Sequence, residues 1–106
     1  MSEYTPDRWI MLEITSEKLG TIPKIFAGWY GGFTGSDSWK LNSGITNIRI
    51  DDQGHYEFTG QSGSTYYCHA NTHGMSGYMA QVLMDWRTKY PHIVFKEIEL
   101  DEIVQT

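Results

Sequence analysis

Apolar and polar residues alternate along several stretches of this chain and recur at helical spacing in one other. Over residues 8–15, Ile10, Leu12 and Ile14 fall on one side and Trp9, Met11 and Glu13 on the other, the period of two expected of a β-strand. Polar residues 16–21, with Gly20 among them, form a connection. A second strand is predicted over 23–30, with Pro23 at the first position, where a missing N–H is tolerated.

Residues 45–69 read as a meander whose register follows from its turns. The three-residue turn Asp52-Gln53-Gly54, with glycine at the left-handed position, sets Asp51 opposite His55. Ile50 then faces Tyr56, Arg49 faces Glu57, and Ile48 faces Phe58. The turn Gln61-Ser62-Gly63 repeats the device and pairs Phe58 with Tyr66, Glu57 with Tyr67, Tyr56 with Cys68, and His55 with His69. Apolar residues meet apolar ones and opposite charges meet, so the register is self-consistent. Ile48, Ile50, Tyr56, Phe58, Tyr66 and Cys68 form its core face; Asn47, Arg49, His55, Glu57, Thr59, Thr65, Tyr67 and His69 form the other.

The helical period appears over residues 75–89. Met75, Tyr78, Met79, Val82, Leu83 and Trp86 make one apolar stripe, Gln81, Asp85 and Lys89 lie opposite, and Pro91 stops the helix. This stripe is expected to cover the core face of the meander. A final strand is predicted over 93–100, with Glu97 and Glu99 on the side opposite Ile98 and Leu100. The expected fold is α+β: a mainly antiparallel sheet of five to six strands with one amphipathic helix packed on one face.

A length of 106 residues leaves room for one core, so residues 1–106 read as a single domain. The formal net charge of −5 argues against direct nucleic-acid binding, which draws its affinity from neutralised phosphates, and it suits a basic partner surface. The single cysteine, Cys68, excludes an internal disulfide framework and fits a reducing, cytoplasmic setting. No apolar run has the length of a membrane span, and the polar opening Met1-Ser2-Glu3-Tyr4-Thr5-Pro6 does not read as a signal peptide.

No catalytic motif emerges. Cys68-His69-Ala70-Asn71-Thr72-His73 concentrates zinc-ligand types, but the register sends Cys68 and His69 to opposite faces, and a buried cysteine behaves as a small hydrophobe. No metal or cofactor is therefore assigned. Gly31-Gly32-Phe33-Thr34-Gly35 matches no phosphate loop, and Ser36, Asp37 and Ser38 match no hydrolase motif. The entry to the helix, residues 71–77, has two readings: an anion site, or ordinary N-capping by Thr72, the commoner arrangement.

Two regions carry the candidate binding residues. On the polar meander face, Arg49, His55, Glu57, Tyr67 and His69 form either a solvated surface or an interface, Tyr and Arg being enriched at hot spots. Over residues 28–44, five glycines (Gly28, Gly31, Gly32, Gly35 and Gly44) interleave with Trp29, Tyr30, Phe33 and Trp39. A bulged segment or long surface loop is expected there. Its rings either fold back on the core or anchor a partner or planar ligand.

Gly28-Trp29-Tyr30-Gly31-Gly32-Phe33, Asp37-Ser38-Trp39-Lys40-Leu41-Asn42-Ser43-Gly44-Ile45 and His73-Gly74-Met75-Ser76-Gly77-Tyr78 resemble segments of small proteins encoded by phages and prophages, which have no assigned activity. The resemblance covers about the middle half of the chain. It implies a mobile-element setting in which short acidic proteins block a host component by binding it. The expected function is thus non-enzymatic binding of a host protein, or self-association. The alternatives are binding of a small planar anion such as a nucleotide, and a metal-dependent enzyme centred on His55, His69 and His73.

Overall fold

The computed structural model describes residues 2–33 and 35–106. The chain forms β1 (Glu3–Tyr4), β2 (Arg8–Ser16), β3 (Gly20–Trp29), β4 (Ser38–Leu41), β5 (Ile45–Ile50), β6 (His55–Gly60) and β7 (Thr65–His69). Helix α1 (Gly77–Lys89) and β8 (Val94–Ile98) follow, and short 3-10 turns occupy Ala70–Thr72 and Leu100–Glu102.

The α+β class and the dominance of antiparallel pairing match the sequence expectation, but the strands form two sheets, not one. Each has four strands, in the orders β1-β7-β6-β5 and β4-β3-β2-β8. The meander register is the expected one at every predicted pair, from Ile50–Tyr56 to His55–His69. Gly54 and Gly63 take the left-handed backbone their turns require, with φ of 86° and 89°. The polar opening segment adds an unexpected parallel edge strand, β1, beside β7.

The helix does not cover the meander, contrary to the sequence reading. It lies on the far side of the β2–β3 sheet, because β2 and β3 are apolar on both faces. Trp9, Met11, Ile25 and Ala27 face Ile48, Phe58, Tyr66 and Cys68 of the meander in one buried cluster. Ile10, Leu12 and Phe26 face Met79 and Leu83 of α1 in a second. The layers therefore run meander sheet, β2–β3 sheet, helix. Gly28 makes the helix contact possible, since a Cβ there would overlap Met79 Sδ. Among the stripe residues only Met79 and Leu83 are fully buried, while Trp86 is half-buried beside Phe26 and Phe95.

Element boundaries moved where local chemistry outweighed periodicity. The helix starts at Gly77, two residues later than its apolar pattern, because Ser76 is extended and its Oγ accepts the Met79 N–H at 3.2 Å. Ser76 is therefore the N-cap, and the Thr72 hydroxyl instead donates to the His69 carbonyl. β3 begins at Gly20 and ends at Trp29, so Pro23 sits inside a strand. Its nitrogen points, like that of Ile25, to the β4 side of β3, and β4 pairs only with Phe26–Trp29, so no ladder bond is lost there. The region read as loop or bulge contains β4, and β8 ends at Ile98, two residues short of the expected limit, before the Leu100–Glu102 turn.

Candidate functional site

The outer face of the meander assembles the predicted residues. Across β5, β6 and β7, Arg49, Glu57 and Tyr67 lie side by side, with His55 and His69 as the next cross-strand pair. Arg49 Nε lies 3.7 Å from Glu57 Oε2, and the two imidazole rings pack edge to face with centroids 4.9 Å apart. These side chains border a concavity of about 600 Å³, closed at one rim by Thr5 and Pro6 and at another by Gln105.

Hydrogen bonding fixes much of this surface. Asp51 Oδ1 accepts from the backbone N–H groups of Gln53 and His55, and Asp51 Oδ2 lies 2.7 Å from His55 Nδ1. The backbone N–H of His55, reinforced by its imidazole, holds the Asp51 carboxyl below the usual carboxylate range. His69 Nδ1 accepts the Asn71 N–H, so its other nitrogen carries the proton donated to the Gln53 carbonyl. That assigns the tautomer of His69 and commits both ring nitrogens. Partial desolvation, with the Glu3 and Glu57 carboxylates nearby, raises the Tyr67 phenol above its ordinary range.

The histidines do not form a common centre. His73 packs edge-on against Trp9, centroids 4.8 Å apart, and its buried Nε2 has no hydrogen-bond partner. Burial lowers its pKa, against the opposing pull of the Glu99 carboxylate. Cys68 points into the core as the register predicts, and burial pushes its thiol pKa up. Among the described residues, no group of three or more His, Cys, Asp or Glu side chains is placed to hold a metal ion.

The aromatic residues of the glycine-rich segment divide. Trp29 is half-buried, packs against Tyr4, and donates its indole N–H to the Thr5 carbonyl at 3.1 Å. Tyr30 is 56% exposed, and its N–H is held by Asp7 Oδ2. Phe33 projects fully into solvent, at 107%. Thr34, also in this segment, lies outside the described residues. The connection of residues 5–7 joins the two predicted regions: Thr5 and Pro6 line the concavity, while Thr5 and Asp7 anchor Trp29 and Tyr30.

Trp39 belongs elsewhere. It stacks edge-on with Phe26 and with Trp86, centroids 6.1 and 5.0 Å apart, over the C-terminal half of α1. Trp86 is ten residues beyond the N-cap Ser76, roughly 15 Å along a helix at 1.5 Å per residue. The Trp39 ring thus lies against the C-terminal half of α1, while its backbone pairs with Gly28, which packs on Met79 in the first turn. Trp39 forms one wall of an apolar cleft of about 360 Å³ that the sequence reading missed. The signal for it was present: Ile14, Ile22 and Leu41 continue the apolar face of their strands, and one short helix cannot cover them all.

No family model, no curated protein and no solved structure matches the chain. No described helix is long and apolar enough to cross a membrane.

Proposed function

We propose that this chain is a non-enzymatic binding protein that engages a protein partner through the concave outer face of its meander. The observation that carries this reading is the continuity between that face and the aromatic segment. Tyr67, Arg49 and the histidine pair line one concavity, and the residues 5–7 at its rim anchor the base of the loop that projects Tyr30 and Phe33. Exposed aromatic rings beside an arginine and fixed polar groups have the make-up of an interface centre. Anchoring the base of the loop favours affinity, because backbone already held there loses little entropy on binding. The acidic balance of −5 suits a partner with basic surface, and the likeness to phage-encoded segments favours a host protein that is inhibited or sequestered.

Photo-crosslinking tests the proposal. A photoreactive phenylalanine analogue placed at Phe33 and, separately, at Tyr67 should capture the same protein from a bacterial lysate. The analogue placed at Met84, exposed on the outer side of α1, should not. Capture of unrelated proteins at the two positions, or equal capture at all three, contradicts the reading. A product of twice the chain mass would show self-association at this face.

A further inference from the structure

We infer that the apolar cleft between the β2–β3 sheet and the end of α1 is a second binding site, for a small hydrophobic monocarboxylate with an aromatic body. The helix ends at Lys89 and leaves the lower part of its sheet face open. The floor there is Ile14, Ile22 and Leu41, and the walls are Trp39, Trp86 and Phe95. A volume of about 360 Å³ lies within the range of small-molecule sites, and flat rings on the walls suit a planar apolar body.

Charge selects the head group. Lys24 is the one charged residue in the lining, although the chain has thirteen carboxylates against eight Lys and Arg. It stands half-buried on β3 and, among the described residues, takes part in no ion pair. An ammonium emerging from an apolar wall with no acidic neighbour in the lining complements a single carboxylate attached to an apolar group. The lining has too few polar groups to satisfy a nucleotide's base and phosphates as well.

The test compares 2-naphthoate with its neutral isostere 2-naphthamide by NMR titration of the whole chain. Naphthoate is expected to shift the indole N–H signals of Trp39 and Trp86 and the methyls of Ile14 and Leu41, and to bind at least about tenfold more tightly than the amide. Lys24→Met keeps most of the apolar stem and should erase that preference, weakening naphthoate about tenfold while leaving the amide within about twofold. Trp39→Leu should weaken both. Equal affinity for acid and amide in the parent, shifts mapping away from the cleft, or no saturation by millimolar naphthoate would overturn the inference. So would concentration-dependent broadening of the cleft signals without ligand, which would identify a second copy of the chain as the occupant. None of these results depends on the meander face, so either site can fail alone.

Discussion

Replacing Trp9 with phenylalanine probes the join between the layers. Trp9 is fully buried, packs against Tyr56 and Phe58 at centroid distances of 5.5 and 5.4 Å, and donates its indole N–H to the His69 carbonyl at 2.8 Å. Trp9→Phe removes that bond and part of a ring. The His69 carbonyl keeps the Thr72 hydroxyl at 3.1 Å, so it is not left unsatisfied, and the lost bond costs about 0.5–1.5 kcal/mol. The missing ring atoms and the gap they leave add about 1–2 kcal/mol. The expected total is about 1.5–3.5 kcal/mol, a large share of a net stability on the order of 5–15 kcal/mol. In urea, with a slope of about 1–3 kcal/mol per molar, the midpoint should fall by roughly 0.5–3.5 M. Trp86→Phe is the control. Trp86 is half-buried, so its loss should stay below about 1 kcal/mol. A Trp9→Phe midpoint within about 0.2 M of the parent, or a larger loss from Trp86→Phe, would refute this placement of the core.

Further predictions address register, packing and titration. The pair Arg49→Glu with Glu57→Arg should recover most of what either single change loses, with a coupling below about 1 kcal/mol because Arg49 is 73% exposed; strictly additive changes would contradict their pairing. Gly28→Ala should lower the melting temperature by pushing Met79 and the helix outward, and an unchanged melting curve would mean that the helix does not rest there. Burial raises the Tyr66 phenol from 10.0 to about 12 and also raises the Cys68 thiol from 9.0. Both groups are neutral in the folded chain at pH values where the unfolded chain has begun to ionise them. Their stabilising contribution is therefore complete below about pH 9 and falls through pH 9–12, so urea midpoints should decline over that window. For the same reason the thiol should react with a labelling reagent only at the rate of opening, and rapid labelling of the native chain would place Cys68 outside the core.

The meander was legible because two glycine turns of one design determine its register, and each side chain then follows by alternation. The layer order was not legible. Ile10, Leu12 and Ile14 against Trp9, Met11 and Glu13 showed that β2 has two faces, but which face meets which element depends on contacts remote in sequence. The amphipathic helix needed an apolar sheet face, and the meander supplied one in the sequence; Gly28 and Phe26 supplied another that packing preferred. Trp86, at the centre of the apolar stripe, is only half-buried because the stripe runs past the covered part of the sheet, whereas Trp9 is the ring the layers close on. The polar-face residues Arg49, His55, Glu57, Tyr67 and His69 were assembled correctly from register alone. The link from that face to Tyr30 and Phe33 through residues 5–7 was hidden, since it rests on single hydrogen bonds from Trp29 to Thr5 and from Tyr30 to Asp7. The apolar cleft was missed because Ile14, Lys24, Trp39 and Trp86 come to line one space only once β3 has paired with β2 and β4 and the helix has packed on them.

The most direct test of the proposed interface is the affinity of the crosslinked partner for surface variants, measured by calorimetry on purified components. Tyr67→Ala and Phe33→Ala should each weaken binding by more than about tenfold, as expected of hot-spot rings, while shifting stability by less than about 1 kcal/mol. Met84→Ala, on the outer side of the helix, should leave affinity unchanged. Equal affinity for the parent, Tyr67→Ala and Phe33→Ala would contradict the claim that the meander face and its aromatic loop form the binding surface.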